Sequence, residues 1–142
     1  MICKQPDKNK ILGVDHNHKT NKVRGLLCNR CNAGIGVFFE DVQRIEESIE
    51  YLNFYSLESN CLAEEPLPKK DCDICHKPES IVENNKLRAL AKDHNHQTGL
   101  YRGRLCFYCN RAIGFFKDDI ERLKSAIEYL KSYSEMPCGQ EA

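Results

Sequence analysis

The 142 residues fit one ordinary domain or two very small ones. With no stretch approaching the roughly 18 apolar residues of a membrane span, and an opening MICKQPDKNK that lacks the apolar core of a secretory signal, neither a membrane protein nor an exported disulfide scaffold is expected. The formal net charge of zero conceals segregation: residues 1–39 carry seven Lys/Arg against Asp7 and Asp15, a net of +5, and residues 69–117 again sum to +5, while 40–68 sum to −7 and 118–142 to −3.

In chain order, residues 1–55 read as a first unit. KILGVDHNH places a short apolar run before a His-rich loop, as a strand would, and VRGLLC is its returning partner. The turn HKTN supplies Asn21, a residue that tolerates positive φ. After Cys28 and Cys31, NAGIGVF predicts a short helix and a longer amphipathic helix follows, with Val42, Ile45, Ile49 and Leu52 on one face. Residues 56–70, SLESNCLAEEPLPKK, are acidic, contain Pro66 and Pro68, and read as a linker.

Residues 71–134 repeat the grammar. Cys72 and Cys75 open the unit, KLRALAKDHNH and LYRGRLC form the hairpin with Gly99 at the turn, and Cys106 and Cys109 precede the short helix NRAIGFF. The final helix is expected to be capped by Asp118 or Asp119, with Ile120, Leu123, Ile127 and Leu130 on its packed face. Residues 135–142 show no periodicity and are expected to fray. A shift of 78 positions lays residues 15–52 over 93–130 without a gap, and 20 of those 38 positions are identical. Such self-similarity marks a duplicated structural unit.

Two CxxC turns can close a tetrahedral Cys₄ shell, which is the pattern of a structural zinc. Cys72, Cys75, Cys106 and Cys109 make a full set; in the first unit Cys28 and Cys31 match Cys106 and Cys109, Cys3 matches Cys75, and the counterpart of Cys72 would fall just before Met1. That copy either continues upstream, finds another ligand, or holds no metal; Cys61 and Cys138 lie outside the repeat and read as free thiols. Asp93 and Asn110 offer the hard oxygens that suit Mg²⁺, and a neighbouring neutral imidazole, His94, can deprotonate water near neutral pH. His96 completes Asp-His-Asn-His, and Asp15, His16, His18 and Asn32 recur at the matching places. Turn chemistry and helix capping explain any one of these residues, but not their joint recurrence.

CxxC followed by DHNHxTGxxRGxLCxxCNxxIG closely resembles the recombination endonuclease VII family of bacteriophages, within the ββα-metal (His-Me finger, HNH-like) nucleases. The resemblance covers residues 72–116 fully and 3–38 without the first cysteine. It implies an α+β fold of two small zinc-stabilised ββα-metal fingers, each followed by an amphipathic helix, in the cytoplasm of a bacterial or phage-infected cell. It also implies a DNA endonuclease that nicks or cuts branched DNA, with structural zinc and catalytic Mg²⁺ or Mn²⁺. Asp93 and Asn110 (Asp15 and Asn32) would bind the catalytic ion, His94 (His16) would act as general base, His96 (His18) would support the phosphate or leaving group, and Arg102 and Arg24 would contact the DNA backbone. Where the best-studied members carry an acidic residue near the active-site Asn, this chain has Ile113 and Ile35. The copies would pair within the chain, or the chain would form a homodimer. The competing reading is a non-catalytic zinc-finger DNA-binding module.

Overall fold

A computed structural model describes residues 2–3 and 11–134. The first copy comprises strands β1 (Gly13–His16) and β2 (Val23–Leu27) and helices α1 (Asn29–Val37) and α2 (Val42–Ser56). The second comprises β3 (Val82–Glu83), β4 (Lys86–Leu87), β5 (Ala91–His94), β6 (Tyr101–Leu105), α3 (Phe107–Phe115) and α4 (Ile120–Ser134). Three two-stranded antiparallel sheets result, β1-β2, β3-β4 and β5-β6, and the chain is α+β as expected. None of the described helices is long and apolar enough to cross a membrane.

Local chemistry accounts for the boundaries. Asn21 (φ 60°) and Gly99 (φ 73°) turn the two main hairpins through the left-handed region. The thiols of Cys28 and Cys106 accept from the amides of Cys31 and Cys109, which starts α1 and α3. Asp41 and Asp119 cap α2 and α4. Between the helices of each copy lie two consecutive left-handed residues, Phe39 and Glu40 or Lys117 and Asp118, all with φ between 54° and 57°. Non-glycine residues take this region at a cost of order 1–3 kcal/mol, so the surrounding packing must hold them there.

The core is shared. α1 packs on α3 and α2 on α4, and Phe38 and Phe116, fully buried, stack with ring centroids 5.9 Å apart. Leu27, Ile35, Ile45 and their counterparts Leu105, Ile113 and Leu123 are 0–1% exposed. A Cβ at Gly34 would lie 2.5 Å from the Phe116 ring, so the close approach of the two copies requires glycine there. Ile35 and Ile113 are therefore core residues.

Two features depart from the sequence reading. The 82–87 stretch forms an additional hairpin, turned by Asn84 and Asn85 at positive φ. The 56–70 connection is docked: Leu62 exchanges two 2.8 Å backbone hydrogen bonds with Tyr101, and Arg104 donates to the Pro66 carbonyl. Cys61 donates to the Tyr55 carbonyl, away from the other cysteines. Cys138 lies outside the described residues.

Candidate functional site

The thiols of Cys72, Cys75, Cys106 and Cys109 are buried and all lie within 4.8 Å of one another; those of Cys75 and Cys106 are 3.9 Å apart. A tetrahedral ion with Zn–S bonds of 2.3 Å sets its sulfurs about 3.8 Å apart, so the cluster fits zinc. Amides of Ile74 and Cys109 point at the sulfurs of Cys72 and Cys106. Hydrogen bonds from Cys106 and Cys109 hold the Cys72 thiol far below its ordinary range, whereas Cys109, bonded to Cys106 and Cys72 and buried, is pushed far above it. All four sulfurs could ionise together only with a cation among them to neutralise the charge. In the first copy Cys3, Cys28 and Cys31 converge in the same way, Cys3 and Cys28 at 3.8 Å. Glu79, absent from the sequence reading, is buried and ties this knuckle to α3 by accepting from the amides of Ser80, Ile81 and Phe107.

The hairpin beside each cluster carries a register shift at the Asp-His step. Asp93 and Asp15 point inward and are 4% and 3% exposed. His94 and His96 are exposed, with ring centroids 4.6 Å apart, and His16 and His18 meet at 4.9 Å. Asn110 and Asn32 are half-buried in the first turn of α3 and α1, directly after a cluster cysteine. The Asn32 amide lies 3.4 Å from where a Cβ of Gly13 would stand. Gly13 and Asp15 share a strand face, so amide and carboxylate occupy the same side of β1.

Arg24 and Arg102 are not at the surface, where backbone contact would need them, but 8% and 4% exposed. Arg24 grips Asp15 through Nε (2.7 Å) and Nη2 (3.0 Å), reaches Glu40 at 2.9 Å, and Glu40 in turn contacts His18 Nδ1 at 2.7 Å. Arg102 bridges Asp93 and Asp118 similarly. Burial opposes the arginine charges, but the flanking carboxylates outweigh it and raise both groups above their ordinary value.

The sequence reading also missed two tyrosines. Tyr51 of α2 donates to Asp93 Oδ2 at 2.7 Å, and Tyr129 of α4 donates to Asp15 Oδ2 at 2.8 Å. Each helix therefore holds the aspartate of the other copy. Burial first, then the neighbouring carboxylate, pushes both phenols well above their ordinary range, so they stay protonated donors. The available signal was the IEYL shared by the two copies. Oδ1 of each aspartate receives one hydrogen bond from arginine, at 3.1 Å for Asp93 and 3.0 Å for Asp15. A carboxylate oxygen can take two partners, so Oδ1 is the atom of each aspartate that could meet a hard cation such as Mg²⁺.

A family sequence model described as recombination endonuclease VII matches residues 1–54 and 59–132. The chain is similar to the Gene 59 protein of Mycobacterium phage D29, 44% identical over 61 residues, and to that of Mycobacterium phage L5, 45% identical over 60 residues. Each alignment covers 42% of this chain and 34% of the relative, so the match spans about a third of the curated relatives. No solved structure matches significantly.

Proposed function

The chain belongs to the recombination endonuclease VII family, and on that premise we propose that it is a divalent-metal-dependent DNA endonuclease that hydrolyses phosphodiester bonds. The observation that carries the reading is the hairpin: in each copy a register shift accompanies a buried Asp carboxylate followed by two imidazoles in edge-to-face contact, both exposed in the second copy and one half-buried, His16, in the first.

Asp93 and Asn110, and Asp15 and Asn32 in the first copy, would hold the cation. When bound, Mg²⁺ or Mn²⁺ supplies Lewis-acid stabilisation of the charge on the phosphate and the departing 3′ oxygen. His94 accepts the proton of the attacking water; the water oxygen forms a bond to phosphorus, the bond from phosphorus to the 3′ oxygen breaks, and that oxygen takes a proton from solvent. His96 steadies the phosphate. The thiolate cluster fixes Asn110 through its neighbour Cys109, which sets the distance from α3 to the hairpin. The two copies act together as an intramolecular pair, a homodimer being the other arrangement.

One observation favours the second reading, a binding module without catalysis: Arg102 and Arg24 already neutralise the carboxylates that would take the metal. Incubation with supercoiled plasmid and with a four-way junction, with Mg²⁺ or with no added divalent cation, separates the two. Metal-dependent nicking supports the nuclease; binding with no cleavage in any divalent metal supports the module.

A further inference from the structure

The two copies differ where they face each other. Beside the second hairpin a cleft of about 630 Å³ opens, lined by His96 and Lys117 of the second copy and by Arg30 and Tyr55 of the first. Arg30 is anchored there: its Nε and Nη2 donate to the carbonyls of Phe115 and Gly114 at the end of α3, at 3.4 Å and 3.1 Å. Two of five donors are used, and the remainder are available to a ligand.

At the positions related by the 78-residue shift, the cations are replaced by aromatic rings. Arg30 corresponds to Tyr108, and Lys117 to Phe39. Those two rings meet across the copies with centroids 4.9 Å apart, and Arg44 lies over Phe39 at 5.0 Å. The carboxylates differ as well. Glu40 reaches both Arg24 and His18 Nδ1, placing negative charge against the first copy's imidazole. Asp118, one methylene shorter, pairs with Arg102, and among the described residues no carboxylate pairs with His96. The grip on the aspartates also differs. Arg24 binds Asp15 through two aligned hydrogen bonds, whereas Arg102 Nε is buried and, though 2.7 Å from Asp93, is aligned with no acceptor.

We propose that the copies are functionally unequal: the second-copy cleft receives the scissile phosphodiester, with Arg30 from the first copy and Lys117 as its phosphate contacts, and the first-copy counterpart is closed. This rests on the nuclease reading and deepens it, since a chain with one open site nicks one strand. Phosphate recognition needs exposed cations beside the imidazoles. The second cleft has them beside His96, the imidazole next to His94. In the first, among the described residues and aside from the buried Arg24, the basic residue at a matching position is Lys19 on the exposed hairpin turn.

The test uses the full chain. In buffer with neither added divalent cation nor chelator, so that the structural metal stays in place, a histidine-labelled sample is titrated with a duplex oligonucleotide and followed by NMR: the His94 and His96 signals shift and those of His16 and His18 stay. The Arg30→Gln/Lys117→Gln double variant binds about tenfold more weakly, and its dependence of log K on log salt is shallower by roughly two. Equal shifts of both histidine pairs, or a double variant that binds like the parent, would overturn the assignment. In Mg²⁺, His94→Ala alone lowers plasmid nicking on the order of 100-fold. Retention of about half the rate overturns the inequality and leaves the nuclease reading standing. A parent chain that never nicks overturns the nuclease reading, and the titration without added divalent cations still decides which cleft takes phosphate.

Discussion

The hydroxyl of Tyr51 lies 2.7 Å from Asp93, although the two residues belong to different copies. The same hydroxyl accepts the Gly103 amide at 2.8 Å, so one phenol joins α2, β5 and β6. Its counterpart Tyr129 makes the reciprocal contact with Asp15 at 2.8 Å. The aspartates proposed to hold the catalytic ion are thus fixed by the packing of one copy on the other, and neither half carries a complete site alone.

Tyr51→Phe leaves a buried carboxylate without one donor, which costs about 1–3 kcal/mol. A urea melt read by circular dichroism is expected to show a lower midpoint for this variant, with the slope unchanged. Tyr129→Phe is expected to behave alike. A midpoint identical to the parent in both would mean that the cross-copy contacts do not hold the fold.

The core makes the copies one folding unit. Phe116 is fully buried, stacked on Phe38 and seated on Gly34; Phe116→Ala is expected to cost about 3–5 kcal/mol. Chemical denaturation should show one transition shifted to lower urea. Two separate transitions in the parent chain would indicate independent copies.

Zinc removal is expected to unfold the second copy. A closed tetrathiolate site contributes on the order of 10 kcal/mol at neutral pH, comparable with the 5–15 kcal/mol of total stability usual for a domain. Metal analysis of purified protein should find tightly held zinc that Cys109→Ser loses, together with its folded circular dichroism. Full zinc content in Cys109→Ser would contradict the assignment.

Alkaline pH provides a signed test. Folding raises the Tyr51 and Tyr129 phenols above their ordinary value, so the folded chain holds these protons more tightly than the unfolded chain. Their stabilisation is complete below the unfolded value near 10 and is lost as pH climbs above it. Absorbance titration of the six tyrosines should show at least two that ionise only as the chain unfolds. Ionisation of all six at about pH 10 in folded protein would contradict the cross-copy hydrogen bonds.

What could be read from the sequence was local. The 78-residue repeat, the positive-φ turns at Asn21 and Gly99, the Asp119 cap and the CxxC spacing each depend on a few neighbouring residues, and the structure contains them. Arg24 and Arg102 sit in a motif read as surface contact, yet they are buried and paired with Glu40 and Asp118, sixteen residues on, whose backbones lie in the left-handed region. Tyr51 and Tyr129 lie beside the apolar stripe of their helices, and their partners are 42 and 114 residues away. No periodicity encodes which helix of a duplicated pair will reach across to which hairpin. The same holds for residues 56–70, whose composition suggests a linker but which meet β6 at an isolated bridge between Leu62 and Tyr101 and at the Pro66 carbonyl, which accepts from Arg104.

The most direct test replaces the exposed imidazole of His94 and its half-buried counterpart His16, and leaves the buried framework intact. His16→Ala/His94→Ala removes the proposed base from both copies without touching the cysteine clusters, the buried aspartates or the shared core. In Mg²⁺ with supercoiled plasmid, this double variant is expected to nick at least about 100-fold more slowly than the parent while binding duplex DNA equally in buffer without added divalent cations. Nicking at the parental rate would contradict the account.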